Sequence, residues 1–140
     1  MQIRSFQLSD YSSVTRLLKE VLTETCYTET MAAFAKQLSW DSELVLVAQE
    51  NNTIVGILIG TIDNNHGYYY RIAVLPPFQR RGIGRSLIRA LKERFDRHKV
   101  RRVLVTLDSH NEPLIPLYES MGYRGNDFTR SIEKLSIANG

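Results

Sequence analysis

Apolar residues recur at helical spacing early in the chain, where Val14, Leu17, Leu18, Val21 and Leu22 share one face. This predicts an amphipathic helix, with Asp10 or Ser12 as its cap. A second helical stretch covers residues 28–38 and carries Met31, Phe34, Ala35 and Leu38. The period then changes. ELVLVAQE (43–50) and TIVGILIGTID (53–63) are apolar runs with Glu50-Asn51-Asn52 between them, a hairpin signature. Beyond the turn Asn64-Asn65-His66-Gly67, YYYRIAVL (68–75) predicts a third strand of the same sheet, ended by Pro76 and Pro77. Residues 2–8, QIRSFQL, alternate weakly, as an edge strand does.

In the second half, residues 83–96 place Ile83, Leu87, Ile88, Leu91 and Phe95 on one helical face, with Arg85, Arg89, Lys92 and Glu93 turned away from it. RRVLVTL (101–107) is a short, nearly continuous apolar run of the kind found in a buried central strand. A helix is predicted from Glu112 or Pro113 to Met121, stopped by Gly122 in the left-handed position. A last strand falls within 123–132, and the tail SIANG (136–140) reads as frayed. The order is α+β: a mostly antiparallel sheet first, then strand–helix–strand–helix–strand. No repeat, low-complexity tract or linker divides it, so residues 1–140 read as one domain.

Composition narrows the class. A chain of 140 residues with 43% hydrophobic residues can bury a core without metal or disulfide staples. Its single cysteine, Cys26, excludes an internal disulfide and a multi-cysteine metal site. No apolar run is long enough to span a membrane, and MQIRSFQLSDYSS lacks the apolar stretch of a secretory signal, so a cytoplasmic protein is expected. The net charge of +3 hides an asymmetry: residues 79–102 hold ten Lys/Arg against two acids. A concentrated patch of this kind suits a compact polyanion at least as well as a nucleic acid.

The densest part of that patch is RIAVLPPFQRRGIGRSLI (71–88), where two glycines and three arginines stand at the start of a helix. A helix N-terminus leaves backbone N–H groups unpaired and carries partial positive charge. Gly82 and Gly84 clear side chains from that backbone, and Arg80, Arg81 and Arg85 surround it, which equips the turn for a pyrophosphate. No GxxxxGK[ST] is present, and Leu87 stands where a dinucleotide fingerprint needs a third small residue. On spacing alone, a solvated basic helix face explains the same residues.

Gln79-Arg80-Arg81-Gly82-Ile83-Gly84 resembles the Q/R-x-x-G-x-G/A signature of the GCN5-related N-acetyltransferase (GNAT) superfamily, placed between a strand reading Ile72-Ala73-Val74 and an apolar-faced helix. A second block, Asn111-Glu112-Pro113 through Leu117-Tyr118-Glu119-Ser120-Met121-Gly122-Tyr123, is similar to that superfamily's N-x-x-A…LYExxGF/Y motif, with Pro116 near where a small residue is more usual. Both blocks occur in the family's order, and the likeness covers nearly the whole chain. It implies a GNAT-like (acyl-CoA N-acyltransferase) fold, a mixed central sheet flanked by helices. It also implies acetyl transfer from acetyl-CoA, as co-substrate, to a primary amine in a ternary complex. Carried over by motif, the backbone of Arg81, Gly82, Ile83, Gly84 and Arg85, with Gln79 and Arg80, would hold the pyrophosphate. Ile72, Ala73 and Val74 would meet the pantetheine and acetyl carbonyl, Asn111 would bind the cofactor arm, and Tyr118 would be the general acid. A homodimer is compatible with such a fold.

A proton must also leave the attacking amine. Relatives often carry a glutamate near the strand that here reads Tyr68-Tyr69-Tyr70-Arg71, and this chain has none there. Asp108 and His110, just past the 101–107 strand, are the candidates for the base, with Glu24 and Glu29 behind them; Cys26 as an acyl-carrying nucleophile has no histidine near it in sequence. Strict alternation puts Tyr69, Arg71 and Ala73 on one face and Tyr68, Tyr70, Ile72 and Val74 on the other. Arg71 facing the cleft would favour an acceptor bearing a carboxylate. Two other readings stay open: a coenzyme-binding sensor or partner protein without turnover, and a nucleic-acid module using the arginine-rich helix and RHKVRR (97–102). An amine acceptor, with neither nucleic acid nor membrane as partner, is the expectation.

Overall fold

A computed structural model describes residues 1–130. Six strands form one sheet in chain order: β1 (Gln2–Ser5), β2 (Val45–Glu50), β3 (Thr53–Asp63), β4 (His66–Val74), β5 (Arg102–Thr106) and β6 (Phe128–Thr129). The first four pair antiparallel, and β4, β5 and β6 run parallel. The switch follows from the connections. Asn51-Asn52 and Asn64-Asn65 all have positive φ, as two-residue hairpin turns require, whereas β4 to β5 returns through a helix.

Helices α1 (Tyr11–Val21) and α2 (Glu24–Trp40) cover one face of the sheet; α3 (Ile83–Arg97) and the short α4 (Ile115–Ser120) cover the other. Val14, Leu17, Leu18 and Phe34 pack with Val47, Ile57 and Ile59 on the first face. Leu87, Leu91 and Phe95 pack with Leu46, Leu58 and Val105 on the second. The five apolar residues expected on the inner side of α3 are all buried.

Some boundaries differ from the pattern, for local reasons. Asp10 stands before α1 but does not cap it. Its carboxylate accepts the Gln7 N–H and two bonds from Arg4, which locks the turn out of β1. Helix α2 starts four residues before the expected 28, because Thr23 accepts the Cys26 N–H and caps it there. The helix expected over 112–121 begins as a 3-10 turn at Glu112–Leu114 before α4, since Pro113 and Pro116 cannot donate in the first turns. Gly122 does take positive φ. The last strand is only Phe128–Thr129 within the described residues, after a turn in which Asp127 accepts the Arg124 N–H; residues 131–132 and the SIANG tail lie outside those described. Among the described residues no helix is long and apolar enough to cross a membrane.

The alternation expected along β4 fails at one place. Ile59 pairs with Arg71 but Gly60 pairs with Tyr69, so Tyr70 is an extra residue, a β-bulge. Tyr69 therefore moves to the α3 face with Ile72, while Tyr70, Arg71 and Ala73 share the α1–α2 face. The pairing of β4 with β5 ends at Tyr69, next to this bulge, and the site lies past that point.

Candidate active site

Strands β4 and β5 pair only from His66/Arg102 to Tyr69/Val105; past that point they part. Asn111 sits at the fork. Its Nδ2 donates to the carbonyl of Tyr70 (2.8 Å) and to that of Thr106 (2.7 Å), taking the place of the missing ladder bonds. Its Oδ1 accepts from Arg71 Nη1 at 3.1 Å. Buried and so engaged, Asn111 does not line the open space beyond the fork.

The freed edge of β4 has a defined polarity. Leu75 donates its N–H to Val55 across β3, so the main chain of Ile72 and Val74, of opposite parity, faces the opened side. The outward carbonyls are already met: Tyr70 by Asn111, Ile72 by His110 Nε2 at 3.2 Å, and Val74 by Gln79 Nε2 at 2.8 Å. The N–H groups of Ile72 and Val74 point the same way. The edge thus offers donors and has its acceptors capped.

A cleft of about 540 Å³ opens over this edge. Ile72, Ala73 and Val74 form its floor, and the loop before α3 forms one wall through Gln79, Arg80, Gly82, Ile83, Gly84 and Arg85. His110, Leu114 and Leu117 face them, and Val21 at the end of α1 closes a side. Arg80 and Gly82 both have positive φ, 62° and 84°, which turns the loop so that α3 begins at the cleft. No side chain caps that helix start, leaving its first N–H groups and their positive potential to the cleft. A Cβ on Gly84 would come 3.3 Å from Leu117, so this glycine sets the close approach of α3 and α4. Arg85 bonds the Ser120 hydroxyl, whereas Arg81 turns aside to Glu50 at 3.6 Å and the Phe78 ring.

The remaining expected residues stand close by but play different parts. Asp108 does not line the cleft; it holds Arg71 in a two-pronged pair (Oδ2 to Nη2 2.7 Å, Oδ1 to Nη1 3.0 Å). Burial alone would raise the Asp108 carboxyl, but Arg71 and the Asn111 N–H outweigh it and hold it below the usual carboxylate range. For His110, burial lowers the imidazole below its ordinary value, and Arg71 adds to that; the bond to Ile72 and the Asp108 charge oppose it without cancelling it. Tyr118 is buried between the rings of Tyr69 (5.6 Å) and Tyr123 (6.2 Å), and burial drives its phenol far above the ordinary tyrosine value. Cys26 is buried beside Thr30, and burial raises its thiol, the opposite of what a nucleophile needs.

One expectation is overturned. Arg71 does not face an acceptor: its side chain is wholly buried under α2, bonded to Thr30, Asp108 and Asn111. The partners come from two separate segments, α2 and the turn after β5, and alternation along β4 does not say which of its faces those segments cover.

The family model described as "Acetyltransferase (GNAT) family" matches residues 11–123. The chain belongs to the acetyltransferase (GNAT) family. An acetyltransferase of Yersinia pestis (strain Pestoides F) is 29% identical over 127 residues, which is 91% of this chain and 90% of that one. Among solved structures, an aminoglycoside N-acetyltransferase, AAC(6')-Iy in complex with CoA, is similar with a TM-score of 0.73 and 18% identity, over 89% of this chain and 88% of its own. The ribosomal-protein-S18-alanine N-acetyltransferase of Escherichia coli is similar with a TM-score of 0.69 and 22% identity, over 88% and 77%. At such identities the structural likeness shows the fold, and the mixed sheet flanked by helices is that of this family. As a member, this acetyltransferase has the strand fork and the glycine-bearing turn in the order its motifs require. Val21 reaches the cleft wall, and Thr30 reaches Arg71 behind it, through the packing of α1 and α2, which no motif signals.

Proposed function

We propose that this acetyltransferase takes its acyl group from acetyl-CoA and passes it to a primary amine by direct attack, both substrates being bound together. The observation that carries this reading is the opened β4 edge: its unpaired N–H groups lead along one cleft to the uncapped, arginine-flanked start of α3. A donor-lined edge suits the carbonyls of a pantetheine arm, and an uncapped helix start suits a pyrophosphate. The volume, about 540 Å³, is in the range of small-molecule sites and leaves room for the pantetheine arm. The bound thioester supplies the acetyl carbon; a C–N bond forms to it as its C–S bond breaks.

In this reading the N–H of Ile72 or Val74 donates to the thioester oxygen as negative charge gathers there. The backbone from Arg81 to Arg85 and the Arg80 side chain hold the diphosphate. Gln79 and Asn111 act on the cofactor through the protein, Gln79 by tying the loop to Val74 and Asn111 by holding the fork open.

His110 takes the proton of the amine. Its Nε2 must be the donor to Ile72, because a carbonyl only accepts, so Nδ1 carries the lone pair. Its lowered proton affinity keeps it neutral near pH 7. Asp108, with both oxygens committed to Arg71, does not serve as the base. Tyr118, which stays protonated, gives its proton to the departing sulfur.

Free-thiol release from acetyl-CoA, followed across a panel of amines from about pH 6.5 to 9, tests this. Release that depends on an amine and falls in Tyr118→Phe and His110→Gln supports the mechanism. Coenzyme binding without release for any amine would make the chain a coenzyme-binding partner protein instead.

A further inference from the structure

We propose that Arg71 is a positioning residue for the His110 imidazole, acting through Asp108, and that Thr30 of α2 fixes the plane of its guanidinium. The inference rests on His110 as the base, and it concerns what holds that base in place.

Four bonds fan out from the Arg71 side chain. Nε donates to Thr30 Oγ1 (2.9 Å), Nη1 to Asp108 Oδ1 (3.0 Å) and Asn111 Oδ1 (3.1 Å), and Nη2 to Asp108 Oδ2 (2.7 Å). Asp108 Oδ1 in turn accepts the backbone N–H of His110 (3.1 Å) and that of Asn111 (2.9 Å). The turn that carries the imidazole is therefore fastened at its backbone by a carboxylate, and the carboxylate is fastened by Arg71. With the backbone so held, the ring reaches the Ile72 carbonyl and its tautomer is decided. A planar guanidinium is the one side chain that satisfies this set: two carboxylate oxygens, an amide oxygen and a hydroxyl in one fork. An ammonium has neither the plane nor the reach between them.

A wholly buried arginine is a poor choice for stability alone, because apolar residues of equal volume usually serve as well as a buried ion pair. Fixing geometry is a better reason for it. The charged groups that act on His110 are Arg71 from β4 and Asp108 from its own turn; the Tyr70 ring lies 4.9 Å from the Arg71 guanidinium, and Tyr70 and the Cys26 thiol of α2 act on Arg71 in turn. Arg71 and Asp108 act on the imidazole with opposite sign, so disturbing one and then the other has separable effects.

The test combines ring NMR of the full-length protein, labelled with 15N-histidine, and steady-state kinetics. The His110 signals are assigned by their loss in His110→Gln. Wild type is expected to show one fixed tautomer, protonated at Nε2. In Arg71→Met the tautomers are expected to average and the imidazole midpoint to rise, since Asp108 is left uncompensated; in Asp108→Asn the midpoint is expected to fall. In Arg71→Lys, which keeps the charge, the averaging is expected to remain. kcat is expected to drop about tenfold or more in the Arg71 variants, with the KM for acetyl-CoA within about threefold of wild type. Thr30→Val, a milder change, is expected to give partial averaging, and it carries the test with Arg71→Lys should Arg71→Met not fold.

A fixed tautomer in Arg71→Lys and Thr30→Val, beside a lowered melting temperature, would overturn the proposal and leave Arg71 a purely structural residue. Full activity in His110→Gln would instead overturn the role of His110 as base, whatever the NMR of the Arg71 variants shows.

Discussion

The carbonyl of Ile72 accepts a hydrogen bond from His110 Nε2 across the open side of the β4–β5 fork. That one bond sets two things together: it removes an acceptor from the strand edge, and it leaves Nδ1 as the unprotonated nitrogen of a histidine that lines the cleft. The edge and the candidate base are thus prepared by the same contact.

His110→Gln separates these roles, because the glutamine amide still has an N–H to offer Ile72 but cannot accept a proton near neutral pH. kcat is expected to fall by about 10²-fold, with the KM for acetyl-CoA little changed. In wild type the acid limb of kcat/KM is expected below about pH 6.5, the ordinary imidazole value, since burial lowers His110. The limb should be absent in the variant. A limb at or above the ordinary value would contradict the assignment.

Tyr118→Phe keeps the ring between Tyr69 and Tyr123 while removing the proton. Thermal stability is expected to stay within about 1 kcal/mol of wild type, and kcat to fall about tenfold or more. Since the phenol is driven far up by burial, no loss of activity from its ionisation is expected on the alkaline side up to about pH 10. A melting curve beside the rate measurement distinguishes lost chemistry from lost packing.

Two glycines give contrasting outcomes. A Cβ on Gly67 would lie 2.8–3.0 Å from three ring atoms of the buried Phe95, so Gly67→Ala forces α3 off the sheet and is expected to cost roughly 1–3 kcal/mol. Around Gly82 there is open space, but its φ of 84° strains any other residue by about 1 kcal/mol. Gly82→Ala is therefore expected to lose little stability and to raise the KM for acetyl-CoA, because the loop before α3 changes its path. Denaturant midpoints and a KM series for the two variants check this.

Stability is expected to fall on acidification in two stages. His110, Asp10 and Asp108 all have lowered values in the folded chain, so over each interval the unfolded chain binds more protons and stability rises with pH. The His110 contribution is complete above about pH 6.5 and is lost as pH falls through its lower folded value; the two carboxylates act below about pH 4. Asp10 is held down first by its bonds to Arg4, with the Gln7 N–H adding to them against the effect of burial. His110→Gln should remove the upper stage of a melting-temperature profile and leave the lower one, while Asp10→Ala should weaken the lower.

Much of this protein was legible along the chain. Helix α3 and the β2–β3 hairpin followed from periodicity and from asparagines that accept positive φ, since both are local preferences of a few consecutive residues. The glycine-bearing turn was legible for the same reason: an uncapped helix start with small residues and arginines is a local arrangement. Family membership rested on two such local blocks. What the tertiary structure alone decided was direction and partnership. One extra residue at Tyr70 reversed the side on which Tyr69 lies, a change that depends on how β3 and β4 register and not on either sequence alone. Arg71 looked like a group for substrate and became the buried anchor of Asp108, Asn111 and Thr30, which are 37, 40 and 41 residues away along the chain. Distances of that kind are closed by the packing of α2 and the return of β5, and only then do the charges find each other.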